Sequence, residues 1–391
     1  MAGYAKRGRT AQVNLTLYRE IRGSGGAMVK CFPIVIGCLC ALVFAADPTK
    51  LPTAGENMTA QLIKENDKVV IKNVHGWFVG DKESSPHAQQ EVVMQATGDS
   101  RDYDYYVGVS GLAFRMQISK DGFCPSSPHP NCGYKCNRAE QLYPWTMETY
   151  SCKPDETEKV KEIRKRIVES INRGIPVPYG SEEAGVIVGY QKNGEELIAY
   201  HPMHDGGKTQ FIEKNWPWGF DVFGNAKKSV PAEKQLFIES IKQAIEMFGA
   251  KESGTYYVGF NAWDNMIKKL EDLNSADDKA RQAAIMGNSW IYECLASHRR
   301  SAAKYLRRIA PEFPKEPQTH LLNAAQAYSE IAEKILTGKE CVLTIAPPPW
   351  FLKDGQVWSN DMRKEEIRRL KMAFGLEKKA VDELKLAVKG I

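Results

Sequence analysis

The sequence predicts an α+β protein with a small antiparallel sheet in its first half and an α-helical C-terminal domain. Three observations predict it. Short β-rich runs at 175–179, 185–190 and 196–201 follow one another, and Asn193-Gly194 between the last two is a hairpin signal. A helix over 156–172 places Val160, Ile163, Ile167 and Ile171 on one face, with Lys, Arg and Glu opposite. From Ser229 the apolar spacing turns helical and stays so nearly to the end.

The N-terminal region stands apart from the fold. Lys30 precedes a run from Cys31 to Phe44 that is apolar except for Pro33 and Gly37, and small residues follow at Ala45 and Ala46. This is the pattern of a signal peptide, with Met28 read as the start and residues 1–46 as extension plus signal. The run is too short to span a bilayer, which needs about 20 apolar residues. An uncleaved anchor is the alternative. The chain is therefore expected to be exported, periplasmic or extracellular, with no stable membrane span after cleavage. Residues 1–45 carry six basic side chains against one acidic, so the formal charge of +5 falls to zero without them. The basicity belongs to the exported segment, which removes the electrostatic argument for a nucleic-acid partner.

Six cysteines remain: Cys124, Cys132, Cys136, Cys152, Cys294 and Cys341. An even count in an exported chain favours disulfides, and the spacing leaves the pairing open. Zinc held by Cys124, His129, Cys132, Cys136 and Cys152 is the competing reading, with an unusual gap pattern. No cofactor and no metal is expected.

In chain order, 47–66 reads as a polar leader ending in a helix start, and 68–74 as a strand. Residues 83–97 read as a helix capped by Ser84 or Ser85 and closed by Gly98. Residues 107–118 are glycine-rich and then apolar. The cysteine-rich loop precedes the 156–172 helix and the three β runs, and an aromatic segment from Trp216 to Phe223 completes this half. Further helices are expected from Ser229 as a cap, then over 256–273, 276–309, 318–337 and 360–389, with a proline-rich connection over 346–350. The domain boundary is placed at 228/229, giving 67–228 and 229–391.

These landmarks carry a resemblance. Ser85 to Gly98, then Gly108-Val-Ser-Gly-Leu-Ala-Phe114, then a helix and Gly174-Ile-Pro-Val-Pro through Gly189-Tyr190, resemble the papain-like N-terminal domain of the butirosin-biosynthesis protein H family and, more distantly, the double-glycine leader peptidases. The resemblance covers residues 67–223 and implies a papain-like fold. In that family a nucleophilic cysteine starts the first helix, a histidine precedes the Gly-Tyr strand and an Asp-Pro step follows the next strand. Here those positions hold Ser85, then Glu183 to Gly185, then His201-Pro202. Thiol catalysis needs a thiolate, a base and a group orienting the base, and none of the three is carried over.

The leading expectation is therefore a non-catalytic relative that binds a small molecule, peptide or partner chain. Its cleft is expected to involve Ser85, Gly111, His201, His204, Asp205, Trp216 and Trp218. A helix N-terminus at Ser85 would favour an anionic ligand group. The alternative is an acyltransferase or amide hydrolase using Ser85 with His201 or His204. Each residue also has a plainer reading: Ser85 as a helix cap, His201 to Asp205 as a polar turn, and Trp216 with Trp218 as a hydrophobic plug.

Overall fold

The structure, a computed structural model, describes residues 62–181, 183–337 and 358–391. The signal segment, the proline-rich connection at 346–350 and Cys341 lie outside the described residues. The protein is α+β. Its helices are α1 (Ser85–Gln95), α2 (Tyr103–Val109), α3 (Thr157–Asn172), α4 (Glu233–Gly249), α5 (Gly259–Asp272), α6 (Asp278–Ile309), α7 (Lys315–Ser329) and α8 (Asn360–Lys389). Two sheets accompany them, and two compact units result.

The sheet unit comprises residues up to 79, 92–100 and 147–223. Its strands include β1 (Leu62–Glu65) and β2 (Lys68–Ile71), and β5 (Val177–Gly180), β6 (Ala184–Gln191), β7 (Glu196–Tyr200) and β8 (Phe211–Glu213). Strand β6 organises the sheet. Its first half pairs antiparallel with β5 and its second half with β2, while β7 runs along the opposite edge and itself pairs with β8. Residues Gly185 to Tyr190 are accordingly buried throughout, which explains an apolar run without alternation. Helix α3 buries Ile163, Ile167 and Ile171, the face its period defines.

The helical unit comprises 80–91, 101–146 and 224–391, so the compact units interleave along the chain instead of dividing it at one point. A three-stranded sheet of β3 (Gln117–Ser119), β10 (Glu252–Ser253) and β11 (Tyr256–Val258) belongs to it. The core here is aromatic: Tyr105, Phe237 and Tyr305 meet edge to face with centroids about 6 Å apart. Gly108 is required beside them, because a Cβ there would sit 2.1 Å from the Tyr305 ring.

Three local expectations are corrected, and one helix, Tyr103–Val109, is added. Leu62–Glu65 is a strand hairpinned onto β2, not the start of a helix, because Asn66 takes a positive φ and turns the chain. Tyr103–Val109 is helical, capped by the Asp102 carboxylate accepting the Tyr105 amide proton at 3.0 Å. Ser229 does not cap α4. Pro231 intervenes, and the helix starts at Glu233 after an extended Ala232. Residues 256–258 are strand and not helix, since they pair with Gln117–Ser119.

Candidate functional site

The predicted cleft residues divide between the units. Ser85 and Gly111 lie in the helical unit, and His201, His204, Asp205, Trp216 and Trp218 in the sheet unit. Ser85 is the first residue of α1 and is buried. Its neighbour Ser84 holds the turn: its carbonyl accepts the amides of His87 and Ala88, and its Oγ lies 2.7 Å from His87 Nδ1. The His87 imidazole is fully buried, and that burial, with Arg115 and His129 nearby, pushes it down to about 3. It stays neutral at ordinary pH and is a poor proton acceptor. Gly111, at φ +85°, starts the 3₁₀ turn Leu112–Phe114, a backbone role that glycine fills without strain.

In the sheet unit His201 is engaged by its own loop and by the turn between β5 and β6. Nδ1 accepts the Met203 amide proton at 3.2 Å, so the proton sits on Nε2, which faces the Glu183 carbonyl at 3.2 Å and Ser181 Oγ at 3.0 Å. The ring stacks on Tyr179, whose hydroxyl donates to Glu213 at 3.0 Å. His204 stacks on Phe211 with centroids 4.2 Å apart, and Asp205 accepts from Thr209 at 3.1 Å. Trp216 donates its indole N–H to the Cys152 carbonyl at 3.1 Å and packs on Phe220. Trp218 remains 63% exposed. No group of three or more His, Cys, Asp or Glu side chains arranged to hold a metal occurs among the described residues.

The cysteine-rich loop is built differently from the expected disulfide framework. Among the described residues no two cysteines lie at disulfide distance. The loop is instead pinned by one buried guanidinium. Arg115 donates from Nη1 to the carbonyls of Pro130, Cys132 and Tyr134 at 2.9–3.4 Å, and from Nη2 to those of Ser127 and His129 at 3.2 and 2.8 Å. Gln117 adds bonds to Ser127, Cys132 and Tyr134 at 2.8–3.1 Å. These two side chains satisfy backbone groups that a buried loop would otherwise leave unpaired. Burial also pushes the Cys136 thiol up, only partly offset by Arg115.

A cavity of about 160 Å³ lined by charged groups lies elsewhere in the helical unit. Four segments form it: the turn before α1, α1 itself at Glu91, the start of α2, and one face of α6. On α6 the residues Glu293, Ser297, Arg300, Ser301 and Lys304 recur at helical spacing as a polar stripe. The cavity wall carries the cations Lys82, Arg300 and Lys304 against the carboxylates Asp81, Glu91, Asp102 and Asp104. Much of this charge is organised into pairs. Lys82 meets Glu91, which also accepts the Tyr103 amide at 3.1 Å. Asp104 receives the Ser301 hydroxyl and Lys304, each at 2.6 Å.

Behind this wall sits Glu83. Burial pushes its carboxyl up to about 7; the hydroxyl of Ser297, donating to it, opposes that rise, and the neighbouring Glu293 reinforces it. Glu83 Oε2 has no hydrogen-bond partner among the described residues. Tyr103 closes the same wall, its ring fully buried and its oxygen accepting the Ser84 amide at 2.9 Å. A carboxyl tuned to neutrality beside a cavity hydroxyl is the arrangement that proton-transfer sites use. The sequence signal was available in the stripe Glu293-x3-Ser297-x2-Arg300-Ser301, because polar residues on a helical face that also holds core neighbours need a reason. It was hidden by the apolar period that identifies α6 as a helix.

Comparison with known proteins adds no relative: no family model matches this chain, and no curated protein matches it.

Proposed function

We propose that this chain is an exported protein with a papain-like half that has lost papain chemistry, and that it binds a small polar molecule in the charged cavity of its helical unit. The observation that carries the reading is the cavity itself: a volume of about 160 Å³ walled by opposed charges and hydroxyls, with the buried Glu83 behind it. Small-ligand sites are concave and hold a few polar groups that fix orientation. Carboxylates outnumber cations on the wall, which favours a ligand bearing an amine as well as hydroxyl or carboxylate groups. The element order supports the papain-like half, with a helix opening at Ser85, the Gly111 turn, the amphipathic α3 and the β5–β6–β7 antiparallel strands following in sequence.

Two observations weigh against the Ser85 hydrolase alternative. His201 has one ring nitrogen engaged by its own loop and the other by the β5–β6 turn, and His87, the imidazole nearest in sequence to Ser85, is held neutral by burial. The test is thermal melting of the protein against ethanolamine, glycine, glucosamine and acetate. The amine-bearing compounds are expected to raise the melting temperature, and Asp104→Asn to abolish the rise while acetate has no effect. A melting temperature unmoved by every amine would sink the reading.

A further inference from the structure

The cavity has a feature that binding alone does not need. A buried carboxyl without a cation bonded to it weakens the fold at neutral pH, and Glu83 is such a group. Its one side-chain partner is the hydroxyl of Ser297, which lines the cavity. The hydroxyl donates to the carboxylate, so a proton already lies on the path from Ser297 Oγ to Glu83. Arg300, on the next turn of α6 and also in the wall, brings positive charge to the same space. Nucleophile and cation thus line one cavity, and the base accepts from the nucleophile behind the wall, without any residue of the papain-like pattern.

We infer that Ser297 is a nucleophile activated by Glu83, and that the cavity transfers the acyl group of a small ester or amide. The inference rests on the cavity being a ligand site, as proposed above. In the first step Ser297 Oγ bonds to the carbonyl carbon while its proton passes to the Glu83 carboxylate. The carbonyl oxygen takes the electron pair and the negative charge in a cavity whose wall holds Arg300 and Lys82, each of them also paired with a carboxylate, Glu333 and Glu91. The tetrahedral species then collapses. The bond to the leaving alcohol or amine breaks, and protonated Glu83 returns the proton to that group. The acyl-Ser297 ester is cleared by water or an acceptor amine, with Glu83 taking the incoming proton and Ser297 recovering it. A carboxyl that titrates near neutrality suits both halves of this cycle.

The experiment uses the full chain and p-nitrophenyl acetate, with peptide mass analysis of the trapped protein. One acetyl group is expected on the peptide carrying Ser297. Ser297→Ala should remove that adduct, and Glu83→Gln should slow its formation at least tenfold. The native rate is expected to rise through about pH 7, the value of Glu83, and the Glu83→Gln rate to be flat there. Ser297→Cys, which keeps a nucleophile in place, should be acetylated as a thioester and guards against a variant that merely fails to fold. Native protein that shows no Ser297 adduct overturns the inference, and so does equal labelling in Glu83→Gln. Binding is read separately from the amine-dependent melting of the native chain. A protein that melts higher with amines yet never acetylates Ser297 loses this inference and keeps the binding site.

Discussion

Two buried carboxyls face helix α6, and the protein treats them in opposite ways. Glu377 meets Arg299 at 2.7 Å with both side chains fully buried, and the guanidinium also donates to the carbonyls of Ala113 and Arg115 at 2.9 and 3.2 Å. Glu83 meets only a hydroxyl from α6, that of Ser297, with a second carboxyl nearby. Burial pushes both carboxyls up, but Arg299 offsets much of that for Glu377. The difference teaches where each group's cost is met. A carboxylate bonded to a buried cation that also ties three chain segments together serves the fold. A carboxyl pushed up towards neutrality with no cation bonded to it carries its desolvation cost as a pH-dependent loss of stability.

The sharpest way to break the comparison is to remove one partner of the matched pair. Glu377→Ala is expected to cost about 3–5 kcal/mol, because it leaves the Arg299 charge buried alone, whereas Arg299→Met with Glu377→Leu should cost far less. Urea denaturation of the two variants reads this directly. Arg115→Met comes next. Five carbonyls of the cysteine-rich loop lose the guanidinium; those of Ser127 and Cys132 keep Gln117 and those of Pro130 and His129 keep backbone amides, so the main loss falls at Tyr134, where a buried unpaired group costs about 1–3 kcal/mol. The expected signature is faster hydrogen exchange at Ser127 to Tyr134 and a Cys136 thiol newly reactive to a water-soluble disulfide reagent.

Glu83 should behave in the opposite sense. Its folded value of about 7 lies above the ordinary 4.5, so across that window the folded chain holds a proton that the unfolded chain has released. Stability attributable to this group is therefore full below about pH 4.5, falls as pH rises and is lost above about pH 7. Glu83→Gln removes that slope. The variant is expected to be more stable than the native protein at pH 8, by up to about 3 kcal/mol, and to show no such gain at pH 5. Glu366, pushed up to about 8 by burial, contributes a slope of the same sign that the variant keeps. Equal pH slopes in the two proteins would remove Glu83 from the comparison. The smallest effect belongs to Ser181→Ala in the sheet unit. Losing the part-buried hydroxyl beside His201 should cost about 1 kcal/mol in denaturation and leave the Glu83-dependent pH slope intact.

Much of the fold was legible because periodicity is a local property. The Ile163, Ile167, Ile171 face of α3 and the last helix from Asn360 to Lys389 both follow from residues three and four apart. The glycine at 98, at φ +80°, closes α1 as its position implies. Strand β1 and helix α2 were less legible. One is four residues long and gains its identity from β2, and the other is seven residues of aromatics and glycine buried against α6. The site was the least legible part. A chain pattern placed Ser85 and His201 together; in the structure Ser85 is buried at a helix start in one unit, and His201, in the other, bonds its own loop and the β5–β6 turn.

The sequence by itself determined the α+β class and the amphipathic faces. Those are facts of residue type and short spacing. Only the tertiary structure decided which carboxyl meets a cation and which does not. Glu83 and Ser297 stand more than two hundred positions apart, and Glu377 and Arg299 are brought together from different helices. Desolvation depends on what surrounds a group in three dimensions, so no local pattern announces a carboxyl held near neutrality.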